Sequence, residues 1–136
     1  MARIVFVDED DDLRTLAESA LSERGHTVFS AADGLEGIEL IEAQRPDLIV
    51  LDVAMLELDG AELSRRLKHY VKATRIPVIF LTAMTDAPTR LRDIKAGAVM
   101  YMTKPCDVAD LEARIETMLA RNYKSEAHLP TRRAMA

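Results

Sequence analysis

Reactive side chains recur directly after short apolar runs in this chain. Asp8-Glu9-Asp10 follows Ile4 to Val7, Asp52 follows Leu48 to Leu51, Thr82 follows Val78 to Leu81, and Lys104 lies just past Ala98 to Met102. Each residue alone has a structural role open to it: Asp10 or Asp11 can cap a following helix, and Thr82 can cap or satisfy a loop. Gathered in one place they offer different chemistry. Crowded carboxylates repel, and either protonation or a hard cation relieves them; Mg²⁺ prefers oxygen ligands, a few of them carboxylates, with waters completing its shell. A carboxylate is also a nucleophile toward phosphorus, giving an acyl phosphate where metal and cationic groups offset the charge of the transferring group. Asp52 suits the nucleophile, and Mg²⁺ with Lys104 suits the offsetting charge.

Gathering these residues is the task of the elements between them. The four apolar runs, with a weaker fifth at His26 to Ser30, read as strands buried on both faces, since they are continuous rather than alternating. Helical spacing fills the intervals. Leu13, Leu16, Ala17, Ala20 and Leu21 share one side of a helix, with Arg14, Glu18 and Glu23 largely on the other. The same periodicity marks Leu35, Ile38 and Ile41, then Leu63 and Leu67, then Val108, Leu111, Ile115, Met118 and Leu119. Gly25, Pro46, Pro77 and Gly97 each punctuate the approach to a strand. Such alternation of strand and helix predicts an α/β fold: a doubly wound parallel sheet with right-handed crossovers. Ligands of such sheets bind beyond the carboxyl ends of the strands, where strand order reverses, and that is where the reactive residues fall.

Composition narrows the function. The 136 residues suffice for one core and one domain. A net charge of −5 argues against a nucleic-acid-binding surface. No apolar stretch approaches the roughly 20 residues of a membrane span, and the N-terminus lacks a secretory core, so a cytoplasmic location is expected. Cys106 is the only cysteine, which rules out an internal disulfide and disfavours a cysteine metal site.

The run Ile4-Val5-Phe6-Val7-Asp8-Glu9-Asp10, the segment Pro46-Asp47-Leu48-Ile49-Val50-Leu51-Asp52, the pair Thr82-Ala83 and the pair Lys104-Pro105 resemble the marks of response-regulator receiver domains. The separations agree: 44 residues from Asp8 to Asp52, 30 to Thr82 and 22 more to Lys104. The resemblance spans about residues 3 to 121, so residues 1–121 are read as the receiver domain, and 122–136, where helical periodicity is lost and Pro130 stands, as a flexible tail. It implies a flavodoxin-like (βα)5 fold with strand order 2-1-3-4-5. It also implies phosphorylation of Asp52 by a histidine kinase or histidine phosphotransfer protein. Asp8 or Glu9, with Asp52 and the backbone carbonyl of Ala54, would hold Mg²⁺, while Thr82 and Lys104 would contact the phosphoryl oxygens. A cis bond between Lys104 and Pro105 and an aromatic switch at Tyr101 are further implications. The signal would leave through the fourth helix, fifth strand and fifth helix of that order, residues 88–120, toward a downstream target or output domain. The domain would act as a monomer or a phosphorylation-dependent dimer.

Three features depart from the family pattern or bear on it. Leu56 stands four residues after Asp52, where the family commonly has proline, and loss of the ring is expected to loosen this loop; Glu9 replaces the commoner aspartate. Ala54 and Met84 occupy positions that tune hydrolysis in the family, and neither side chain can orient water by hydrogen bonding. Rival readings are weaker. A haloacid-dehalogenase-like phosphatase normally has a second aspartate at the position of Ala54, and no phosphate-binding glycine motif is present. A receiver-like scaffold that is never phosphorylated would have little need of Asp52, Thr82 and Lys104 together.

Overall fold

The computed structural model describes residues 2–58, 61–82 and 98–127. Within them the elements run β1 (Arg3–Val7), α1 (Asp11–Glu23), β2 (Thr27–Ala31), α2 (Gly34–Gln44), β3 (Leu48–Asp52), α3 (Val53–Leu58), α4 (Ala61–Thr74), β4 (Pro77–Thr82), β5 (Ala98–Thr103) and α5 (Val108–Ala127). The strands form one five-stranded sheet, order β2-β1-β3-β4-β5, every pair parallel. This is the expected doubly wound α/β arrangement.

The continuous apolar runs have the cause inferred from sequence, because both faces of the sheet are covered. Val5 and Val7 of β1 join a cluster with Ile38 and Ile41 of α2 and Leu63, Leu67 and Val71 of α4. Ile4 and Phe6 point the other way, into a cluster with Leu13, Ala17 and Leu21 of α1 and Leu111, Ile115 and Met118 of α5. Alternate residues of one strand thus serve two cores, and all of β3 and β4 are buried.

Boundaries differ from expectation in instructive places. β2 starts at Thr27 instead of His26. The His26 ring is drawn aside, accepting the Ala2 N–H at Nδ1 and meeting Glu116 of α5 through Nε2 at 2.7 Å. α5 continues to Ala127, past the point where the spacing of apolar residues fades at 121, since a helix can extend on backbone hydrogen bonds without an apolar stripe. The segment after Asp52, read as a loop loosened by the missing proline, is the short helix α3. Proline at position 56 would remove the hydrogen bond that this N–H donates back to residue 52 and would bias Met55 away from helical angles; leucine does neither. The fourth helix of the sequence reading, Ala83, Met84, Gly97 and residues 128–136 lie outside the described residues.

Candidate functional site

The sheet order makes β1 the strand where winding direction reverses, flanked by β2 and β3. Asp8 is the first residue beyond β1 and Asp52 the last of β3, so the two carboxylates stand side by side at that reversal. Both are buried, with Asp8 fully enclosed and Asp52 5% exposed. Lys104, just past β5, reaches across to join them. Its Nζ lies 3.1 and 2.9 Å from the two oxygens of Asp8 and 3.1 Å from Oδ2 of Asp52. Backbone amides complete the cradle: Asp10 N–H donates to Asp8 Oδ1 at 2.9 Å, and Ala54 N–H donates to Asp52 Oδ1 at 2.9 Å.

The electrostatics follow from that enclosure. Burial pushes the Asp8 carboxyl above its ordinary pKa, and the nearby Asp52 charge adds to the rise; the Asp10 amide and Lys104 oppose it without cancelling it. At Lys104 burial disfavours the ammonium, yet the hydrogen bonds and attraction to Asp8 and Asp52 prevail and its pKa is raised. Among the described residues one ammonium is shared by two buried carboxylates, an excess of negative charge of the kind that a divalent cation offsets.

The other expected residues divide. Thr82 ends β4, beside β3 and one step beyond the Leu81 that pairs with Asp52; it is buried, and its carbonyl accepts the Lys104 N–H at 2.8 Å. The Lys104–Pro105 peptide is cis. Tyr101 is 41% exposed on β5, with its ring stacked on Phe80 at a centroid distance of 5.6 Å. Glu9 is exposed, and among the described residues no group of three or more His, Cys, Asp or Glu side chains is disposed to hold a metal. Of the two acids offered by sequence, Asp8 is therefore the one at the site. Ala54, the second residue of α3, presents its N–H to Asp52. Asp8 and Asp52 are the two carboxylates brought together here, oxygen donors of the kind a hard cation takes, with water able to complete its shell.

Asp10 takes the capping role foreseen for it or for Asp11: its Oδ1 accepts from the N–H groups of Asp12 and Leu13 at 3.0 and 3.1 Å. Sequence reasoning missed Arg14, read only as a residue on the polar side of α1. Its Nη1 donates to the Asp8 carbonyl at 2.7 Å and its Nη2 meets Asp11. A lone arginine two residues beyond an acidic block was the available signal.

Comparison with known proteins bears on the family and the fold. The family model of the response regulator receiver domain matches residues 4–116. Transcriptional regulatory protein AfsQ1 of Streptomyces coelicolor is 39% identical over 91% of the chain and 54% of its own length. Response regulator MprA of Mycobacterium ulcerans is 40% identical over 88% of the chain and 50% of its own length. The chain thus spans about half the length of these curated relatives. Among solved structures, a CheY-like receiver domain protein from Methanospirillum hungatei superposes with a TM-score of 0.76 at 25% identity, covering 92% of this chain and 98% of that one. The receiver domain of the Francisella response regulator 1452 gives 0.72 at 28% identity, covering 90% and 99%.

Proposed function

The chain belongs to the response regulator receiver domain family, and from that premise we propose that it accepts a phosphoryl group on Asp52 from a phosphohistidine of a histidine kinase or histidine phosphotransfer protein. The observation that carries this reading is the shared contact of Lys104 Nζ with Asp8 and with Oδ2 of Asp52. Oδ1 of Asp52 is held by the Ala54 amide, so Oδ2 is the oxygen placed to attack. It forms the new bond to phosphorus as the phosphorus–nitrogen bond of the donor breaks, and the imidazole nitrogen keeps the electron pair. Lys104 then moves from two carboxylates to the phosphoryl oxygens, with the Thr82 hydroxyl beside it. Asp8 and Asp52 would hold Mg²⁺, which supplies positive charge to offset that of the transferring group. The domain assists this transfer and the later hydrolysis of the acyl phosphate, in which water takes the phosphoryl group and Asp52 is regenerated, and it is not otherwise an enzyme.

Phosphorylation then shifts a two-state equilibrium, in which Tyr101 turns inward as Thr82 is drawn to the phosphoryl group. The shift is read by a downstream protein or output domain on the face of residues 88–120, in a monomer or a phosphorylation-dependent dimer. The relatives named as transcriptional regulators favour control of transcription as the output, with DNA contacted elsewhere than on this acidic domain. Among the described residues no helix is long and apolar enough to cross a membrane, and the proposed site of action is the cytoplasm.

The test is intact mass spectrometry after incubation with a small phosphodonor and Mg²⁺. One phosphoryl group, removed by hydroxylamine and absent from Asp52→Ala, is the expected result. Equal labelling of Asp52→Ala contradicts the assignment.

A further inference from the structure

Asp8 is the residue on which the site turns, yet it lies one position past the end of its strand, where the sheet no longer fixes it. The β1–β3 ladder closes at Val7 and Leu51. Beyond it, the Asp8 N–H still donates to the Ala31 carbonyl of β2 at 3.1 Å. Its carbonyl has left the ladder, in a residue that is fully enclosed, where an unpaired carbonyl is costly. The guanidinium of Arg14 takes that carbonyl at 2.7 Å. Arg14 is itself anchored: its other nitrogen is paired with Asp11, its backbone sits in the first turns of α1, and its side chain is 18% exposed. Two cations therefore grip Asp8 from opposite ends, Lys104 at the carboxylate and Arg14 at the peptide.

The peptide held by Arg14 is the one joining Asp8 to Glu9, and its orientation decides which acid turns inward. With the carbonyl fixed toward Arg14, the Asp8 carboxylate faces Lys104 and Asp52, and Glu9 projects to solvent. Arg14 also sets a positive charge beside five consecutive acids, residues 8–12. We infer that Arg14 is a positioning residue for the proposed cation site: it holds the Asp8–Glu9 peptide so that Asp8, paired with Asp52, presents its carboxylate to a divalent cation.

This inference rests on the Mg²⁺ reading of the site, so the test measures cation affinity directly, without phosphorylation. The intact chain and its Arg14→Gln and Arg14→Lys variants are titrated with Mg²⁺ by calorimetry, each with a thermal melt in metal-free buffer. Arg14→Gln should weaken Mg²⁺ binding about tenfold or more, the size of effect that outer-shell changes produce at metal sites. Arg14→Lys should fall between the two, because an ammonium can take the Asp8 carbonyl but cannot span to Asp11 in the same fork. A lowered melting temperature with an unchanged Mg²⁺ affinity would make Arg14 a structural tie only and overturn the inference. Should Arg14→Gln not fold, wild-type affinity in Arg14→Lys overturns it equally. A wild-type chain that binds no Mg²⁺ at millimolar concentration overturns the cation reading itself, and this inference with it.

Discussion

Asp8 is fully buried beside a second carboxylate and a single ammonium, and its raised pKa states which force prevails. Desolvation and the Asp52 charge together outweigh Lys104 and the Asp10 amide, so the ionised form is held in the fold at a cost to stability. The sign is fixed by linkage. A native pKa above the unfolded one means that the folded chain binds the proton more tightly, so stability from this group rises as pH falls from neutral through the native pKa. The rise ends once pH is below the ordinary aspartate value of 3.8, where the unfolded chain is protonated too. Asp8→Asn removes the charge and leaves Lys104 its partner in Asp52, so metal-free Asp8→Asn should melt higher than wild type at neutral pH. The difference should shrink as pH is lowered through the native pKa of Asp8, and Mg²⁺ should raise the melting temperature of the variant less than that of wild type. Thermal melts across pH, at fixed ionic strength, check this. A variant that melts lower than wild type at neutral pH would show that Asp8 is chiefly a structural partner of Lys104.

At the scale of elements, the site depends on contacts that hold the strand ends in place, and one of them hides behind a glycine. Gly37 of α2 faces the Val7 side chain so closely that an added Cβ would sit 2.7 Å from Cγ2 and 2.8 Å from Cγ1. Helix propensity alone favours alanine there by about 1 kcal/mol. Overpacking a filled core costs about 1–3 kcal/mol, and both neighbours are branch methyls of a buried valine that cannot swing away. Gly37→Ala should therefore lower the melting temperature by a few degrees and weaken the Mg²⁺ response, since Val7 directly precedes Asp8. A higher melting temperature would mean that the helix shifts freely and that this contact positions nothing. Sequence could not reveal it, because a glycine within a helical pattern reads only as a weak helix former. What sequence did reveal has a common physical origin. Strands buried on both faces leave unbroken apolar runs, so β1, β3 and β4 were legible, whereas the edge strand β2, half-buried and polar at Ser30, was placed one residue early. α3 was not legible: six residues cannot display a helical period, and the one pertinent signal, leucine in place of proline at 56, was read as loosening when it permits winding. The acids were recognised from their type and spacing. Choosing between Asp8 and Glu9 required the burial of the one against Lys104 and the exposure of the other, which no spacing rule contains.

Across the whole molecule, the residues proposed to act come from the ends of four strands that are remote in sequence. Asp8 and Lys104 are 96 positions apart, Asp52 and Lys104 are 52 apart, yet each pair is in direct contact. Nothing local requires this, and only the parallel sheet with its helices on both faces brings them together. The same topology separates the work of the two cores. The cluster of α2, α3 and α4 backs one face of β1, β3 and β4 together with the segment that follows Asp52, while the cluster of α1 and α5 backs the other face of the same three strands. Charge added at the strand ends therefore bears on both layers at once, as a domain that reports a local event by a change of shape requires. The local event proposed is phosphorylation of the Asp52 carboxylate, which gives an acyl phosphate. Its most direct test is reduction of the phosphodonor-treated protein with borohydride, which converts an aspartyl phosphate to the corresponding alcohol with release of phosphate, followed by peptide sequencing. A single reduced residue is expected, at position 52, formed with Mg²⁺ and lost when the metal is chelated; reduction at Asp8 or elsewhere, or none despite bound phosphoryl, would overturn the assignment to Asp52.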